Sequence, residues 1–194
     1  MLPFLNEGII SFTIYKRMQK IYFILLLITI TSCSQAQENR RANYYETFLE
    51  VNEPIDSMVV FKSTRELVTY HQRKKVKKYM ISLGEASIGK KQTEGDMKTP
   101  EGHYYINSRD TNSAYHTNLG ISYPNTADSM YAAAHGISAG GDIKIHGFPN
   151  RHSKLQEKQF LNTDWTLGCI AVSDFEIDEL YKWVIPNCPI LILP

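Results

Sequence analysis

Ser173-Asp174-Phe175-Glu176-Ile177-Asp178-Glu179-Leu180-Tyr181-Lys182-Trp183-Val184 is followed, past Pro186, by Pro189-Ile190-Leu191-Ile192-Leu193. A serine with glutamate three residues on has the form of a capping box, in which each end of the first turn satisfies the other's orphan amide. Behind it Phe175, Ile177, Leu180, Tyr181 and Val184 recur at helical spacing, which predicts a helix over 174–184. Pro186 stops it, because proline has no amide hydrogen to donate. The run 189–193 is apolar throughout and too short for a helix, so it reads as a buried strand. Working back, 57–62 (SMVVFK) and 66–71 (ELVTYH) are β-branched and aromatic runs around Ser63-Thr64-Arg65, predicting a hairpin. A third strand is expected over 76–83 (VKKYMISL), ending at Gly84. Turn residues at Gly95-Asp96 and Thr99-Pro100-Glu101-Gly102 precede a strand over 103–106 (HYYI), and 126–135 (TADSMYAAAH) has helical composition. In 142–146, Ile143 and Ile145 share one face and Lys144 and His146 the other. Strands outnumber helices and no strand–helix–strand unit repeats. The expected class is mainly β with one or two helices.

A chain of 194 residues is the size of one domain with an appended segment. Hydrophobic residues at 43% and charged residues at 21% exclude a disordered chain or a coiled-coil rod. A net charge of +1 gives no electrostatic footprint for nucleic acid. Three cysteines exclude a disulfide-dense scaffold.

Lys16, Arg17 and Lys20 precede an uncharged run at 21–30 (IYFILLLITI) that ends in small polar residues and Cys33. That is the layout of a secretory signal, and the run is shorter than the roughly 20 residues a membrane span needs. Residues 1–32 are therefore expected to be a signal peptide, with Met18 as an alternative start. Ile30-Thr31-Ser32-Cys33 resembles the lipobox of bacterial lipoproteins, which implies lipidation at Cys33. Residues 33–56 would be a lipid-anchored tether and 57–194 the folded domain, exported to the cell envelope and facing the periplasm from the outer membrane.

Gly168-Cys169 follows Asp164-Trp165-Thr166-Leu167 and runs into the capped helix. A thiol beside a glycine can approach a substrate closely, and it becomes a nucleophile where a base takes its proton. Of six histidines, His146 ends a strand and precedes Gly147, so its ring can project from a rigid element. Cys188, at a strand entrance, reads as a buried hydrophobe. No H-E-x-x-H or C-x-x-C spacing is present, and neither metal nor other cofactor is expected.

Lys144-Ile145-His146-Gly147, Trp165-Thr166-Leu167-Gly168-Cys169-Ile170, the turn Gly95–Gly102 and Ile121-Ser122-Tyr123-Pro124-Asn125 together resemble the L,D-transpeptidase catalytic-domain (YkuD) family, closest to its murein branch. The resemblance implies a β-sandwich-like domain with Cys169 as nucleophile and His146 as base. Gly147 would orient the imidazole, and backbone amides at Gly168 and Cys169 would face the oxyanion. It further implies acyl transfer on peptidoglycan stem peptides through a Cys169 thioester. Trp165, Thr166, Lys144, Arg151 and Tyr123 are the expected substrate contacts. An L,D-specific hydrolase using the same dyad, and a peptidoglycan-binding lipoprotein without turnover, are the alternatives. Three features depart from the family pattern. His146 and Cys169 stand 23 residues apart, implying an insertion over 150–164 that lines or covers the cleft. Leu167 replaces a second histidine, and Ala171 stands where an arginine is common, with no arginine anywhere after Cys169. Lys144, Arg109 or Arg151 would then supply the cation for a substrate carboxylate.

Overall fold

A computed structural model describes residues 51–194 together with Met18 and Gln19. The expected signal segment, Cys33 and the tether as far as Glu50 lie outside the described residues, except for those two.

The hairpin at the start of the domain forms as its composition dictates: β1 (Ser57–Phe61) pairs antiparallel with β2 (Glu66–His71), and β2 with β3 (Lys74–Met80). The apolar run near the C-terminus becomes β8 (Pro189–Leu193) and inserts beside β1 in parallel, with Met58 opposite Ile190 and Val60 opposite Ile192. Its other edge takes β4 (Gly102–Ser113), twelve residues long, which turns back into β5 (His116–Ile121). β6 (Lys144–His146) then pairs antiparallel with β5, and β7 (Ile170–Ala171) parallel with β6. The strands form one sheet in the order β3-β2-β1-β8-β4-β5-β6-β7. The sheet curls, and its two ends meet: Ser82, just past β3, exchanges backbone hydrogen bonds with Ala171 of β7 at 2.9 and 2.8 Å.

Three helices lie within residues 51–194: α1 (Thr126–Ala134), α2 (Lys154–Phe160) and α3 (Asp174–Trp183). Each begins with a complete capping box, from Asn125, Ser153 and Ser173. The mainly β class stands, with one helix more than expected. The additional one, α2, lies in the 150–164 insertion and buries none of its own residues.

The core is built from Met58 and Val60, Leu67, Tyr79, Leu119, Ile145, Ile170, Ile190 and Ile192 on the strands, closed by Ile177 and Leu180 of α3. Val51 and Ile55 are buried in it too, so packing begins ahead of the expected boundary at Ser57. Their backbone amides are satisfied by Glu179 Oε1 and the Trp183 carbonyl. Glu179 is itself held by Lys77 Nζ at 2.6 Å and the Tyr79 hydroxyl at 2.9 Å, so this buried carboxylate has a partner at each oxygen.

Candidate active site

The register of three strands assembles the site. Leu119 of β5, Ile145 of β6 and Ile170 of β7 are opposite one another and face the core. Because side chains alternate, Asn118, His146 and Ala171 point to the other face, and so do Lys144 and the residue before β7, Cys169. Cys169 and His146 therefore share one face of two neighbouring strands, offset by two residues. At a strand spacing of about 4.8 Å and a rise of about 3.3 Å per residue, their Cα positions are about 8 Å apart, a gap that a thiol and an imidazole can lean across. α3 packs on the opposite face, where a Cβ on Gly147 would meet Asp174 Oδ1 at 2.5 Å and Ile177 at 3.2 Å. Gly147 lets that helix approach, and Asp174 fixes the chain past the histidine by accepting the Phe148 amide at 2.7 Å.

The imidazole of His146 is 4% exposed, and its Nδ1 bonds the Gly147 carbonyl at 2.7 Å. A carbonyl can only accept, so Nδ1 carries the proton and Nε2 keeps its lone pair for use as a base. Burial pushes the ring's pKa down; the Gly147 bond opposes this and the Lys144 charge adds to it. The ring is walled by aromatics, with Tyr115 centred 4.8 Å away and Trp165 5.6 Å away.

Cys169 is part-buried, and its thiol donates to the Asp142 carbonyl at 3.7 Å. Burial raises its pKa, against a backbone amide from Lys144 and the charges of Lys144 and Lys91, which lower it; Asp142 raises it further. Both shifts favour the neutral forms, thiol and imidazole.

The turn carrying Cys169 is held from three sides. Thr166 is buried, its hydroxyl accepting the Gly168 amide at 3.2 Å and donating to the Cys169 carbonyl at 2.7 Å. Gly168 has a φ of +129°, where a side chain would be strained, and a Cβ there would fall 2.7 Å from the Lys98 carbonyl. The loop bearing Lys98 is fixed in turn by Asp96, which accepts the amides of Gln92, Thr93 and Lys98 and the Lys91 ammonium. Lys62, fully buried at the end of β1, ties the same loop through the Gly89 and Thr99 carbonyls and Glu101. The turn motif at 95–102 thus buttresses the cysteine from behind. Asp164 anchors the approach to Trp165 by accepting the Leu83 amide and pairing with Arg65.

The expected substrate contacts divide. Trp165 and Lys144 lie at the site, and Arg151 stands exposed in the insertion. Thr166 is at the site, but its hydroxyl is consumed within the turn. Tyr123 is buried in the core, bonding the Ala139 carbonyl and packing on Tyr104, so it does not face the cleft. Arg109 is likewise committed, bonding the Tyr181 and Val184 carbonyls at the end of α3 and stacking on Tyr181. Of the two amides expected to face an oxyanion, that of Gly168 is taken by Thr166. The insertion touches the site through Phe160, whose ring lies 4.7 Å from Trp165 and 5.5 Å from Phe148. Asn118 was missed by sequence reasoning. It is buried directly opposite His146, a juxtaposition that only strand register reveals.

The fold and the site define a mainly β domain with a cysteine–histidine pair on its sheet face. The family model of the L,D-transpeptidase catalytic domain (YkuD) matches residues 56–192, and the chain belongs to that family. It is 30% identical over 131 residues to the protein YafK of Escherichia coli (strain K12), covering 64% of this chain and 45% of that one. Among solved structures it resembles the helical cell shape determining protein Pgp2 of Campylobacter jejuni, at a TM-score of 0.55 and 25% identity, covering 73% of this chain and 48% of Pgp2. Bd1075 of Bdellovibrio bacteriovorus shares the fold at a TM-score of 0.50 and 22% identity. The chain spans about half the length of these relatives.

Proposed function

We propose that this protein is a cysteine-dependent acyltransferase acting on peptidoglycan stem peptides. The observation that carries the reading is the placement of Cys169 and His146 on one face of β6 and β7, with the imidazole tautomer fixed by the Gly147 carbonyl. In the first step His146 Nε2 takes the thiol proton and the sulfur attacks the carbonyl on the L side of an L,D bond. The C–S bond forms, the C–N bond breaks, and the imidazolium returns its proton to the departing D-amino acid. In the second step an amine attacks the thioester, His146 takes its proton, and the sulfur leaves and is reprotonated. The Cys169 amide is the donor left in the turn to meet the developing oxyanion. Water in place of the amine gives a hydrolase with the same residues. The aromatic wall of Tyr115, Trp165 and Phe160 favours the amine, because it restricts solvent around the base.

The signal layout supports export, with Cys33 lipidated and the domain in the periplasm, tethered to the outer membrane. Incubating the protein with disaccharide-tetrapeptides and resolving products by mass tests the activity. Cross-linked or exchanged stems from the wild type and none from Cys169→Ala are expected. Equal products from both proteins would overturn the assignment, and tripeptide alone would assign the hydrolase.

A further inference from the structure

Beside Cys169 two opposite charges are open to solvent. Lys144 Nζ lies 2.7 Å from Asp142 Oδ1, with side chains 31% and 80% exposed. Both residues border the sulfur through their backbones, the Asp142 carbonyl accepting from the thiol and the Lys144 amide donating to it. The register places Lys144 directly opposite Cys169 on the same face of the sheet, since Ile145 pairs with Ile170. Four other cations of the surrounding elements are already engaged: Lys91 is buried on Asp96, Lys62 on Glu101, Arg65 on Asp164 and Arg109 on the end of α3.

We propose that the Asp142–Lys144 pair is a subsite for an α-amino carboxylate, with Lys144 holding the carboxylate and Asp142 the ammonium of the amino acid that leaves or enters at the scissile bond. The inference rests on the acyl-transfer reading above and gives it a specificity determinant. When a stem ends in a D-amino acid, the nitrogen released by the thiolate is bonded to a carbon that bears a carboxylate. An amine on the D-centre of a diamino acid, or of a free D-amino acid, has the same arrangement. By microscopic reversibility the leaving and the entering amine pass through one position, so one subsite reads the same head twice. The pair is neutral and so is the zwitterion. Docking of the free amino acid exchanges one ion pair for two; on the donor, where the nitrogen is still an uncharged amide, Lys144 meets the carboxylate and the 80% exposed Asp142 is met by solvent. A lysine suits this task as a mobile point charge on a long stem. The chemistry is unchanged: the proton from sulfur goes to the departing nitrogen through His146, and the entering ammonium gives up two protons, one to solvent and one through His146 to sulfur.

The test compares tetrapeptide donors ending in D-alanine and in D-alaninamide, and acceptors D-alanine and D-alaninamide, on wild type, Lys144→Met, Lys144→Arg and Asp142→Asn. A charge-assisted contact predicts that the wild type prefers the free carboxylate about tenfold or more in kcat/KM. That ratio should collapse toward one in Lys144→Met, chiefly through KM, and persist in Lys144→Arg, whereas Asp142→Asn should raise KM for both acceptors alike, because both carry the ammonium. A wild-type ratio near one, or a ratio that Lys144→Met retains, overturns the subsite. Mass analysis of Cys169 separates the two levels. If Cys169 is acylated while the ratio is flat, only the subsite is wrong. If neither donor reacts and Cys169 stays unmodified, the acyl-transfer reading fails and the subsite falls with it.

Discussion

Replacing Thr166 with valine preserves the side chain's shape and removes the one oxygen that fixes the cysteine turn. That oxygen accepts from the Gly168 amide at 3.2 Å and donates to the Cys169 carbonyl at 2.7 Å, in a side chain only 4% exposed. A buried polar group left without its partner costs about 1–3 kcal/mol, and two are orphaned here. Relaxation of the turn toward water recovers part of this, so a loss of about 2–4 kcal/mol is expected. That lies within the roughly 5–15 kcal/mol of a typical domain, so the variant folds. Its chemistry suffers more, because a displacement of about 1 Å at a reacting group can cost about a hundredfold in rate. Thr166→Ser keeps the oxygen and loses one methyl, about 0.8 kcal/mol. Urea unfolding followed by fluorescence gives the stability, and turnover of tetrapeptide stems gives the rate. Were Thr166→Val as stable and as active as the wild type, the turn would not be held as described.

The pH dependence of Cys169 alkylation by iodoacetamide follows from its raised pKa. The thiolate is the reactive form, so a raised value means that the rate keeps climbing through and above about pH 8.5; a plateau already reached below pH 7 would indicate a preformed thiolate–imidazolium pair instead. Phe160→Ala removes the ring that joins α2 to Trp165 and Phe148, and trypsin should then cut at Lys154 and Lys158 well before the rest of the domain, whereas equal resistance would show that the insertion is held by other contacts. Lys77→Met strands the buried Glu179 carboxylate with only neutral donors, and the expected loss is about 3–5 kcal/mol in chemical unfolding. A change below 1 kcal/mol would mean that Tyr79 and Val51 suffice.

The elements legible in the chain are those whose own composition specifies them. The β1–β2 hairpin, the capped α3 and the apolar β8 needed only alternation, a cap and a run. β4 was recognised only at its first residues, because from Asn107 to Ser113 (NSRDTNS) it is polar and mostly exposed, and pairing with β5 makes it a strand. β5 was missed for a related reason: Gly120 interrupts it, where a Cβ would collide with Ser108 of β4. The helix α2 had a readable signal, the capping pair Ser153 and Gln156, but it is short and has no buried face. At the site, the glycine-flanked Cys169 and the strand-ending His146 were visible as chemistry. What was hidden is who stands opposite whom. Asn118 beside His146, and Lys144 beside Cys169, depend on register between strands far apart in the chain. Burial likewise decided Tyr123 and Thr166, whose hydroxyls are spent inside the protein.

Intact-protein mass spectrometry during reaction with a disaccharide-tetrapeptide addresses the sulfur directly. The account predicts a transient adduct of the tripeptidyl stem, mapped to Cys169, labile to hydroxylamine, and formed as D-alanine is released. Release of D-alanine without any such adduct, or an adduct on Cys188 instead, would contradict it.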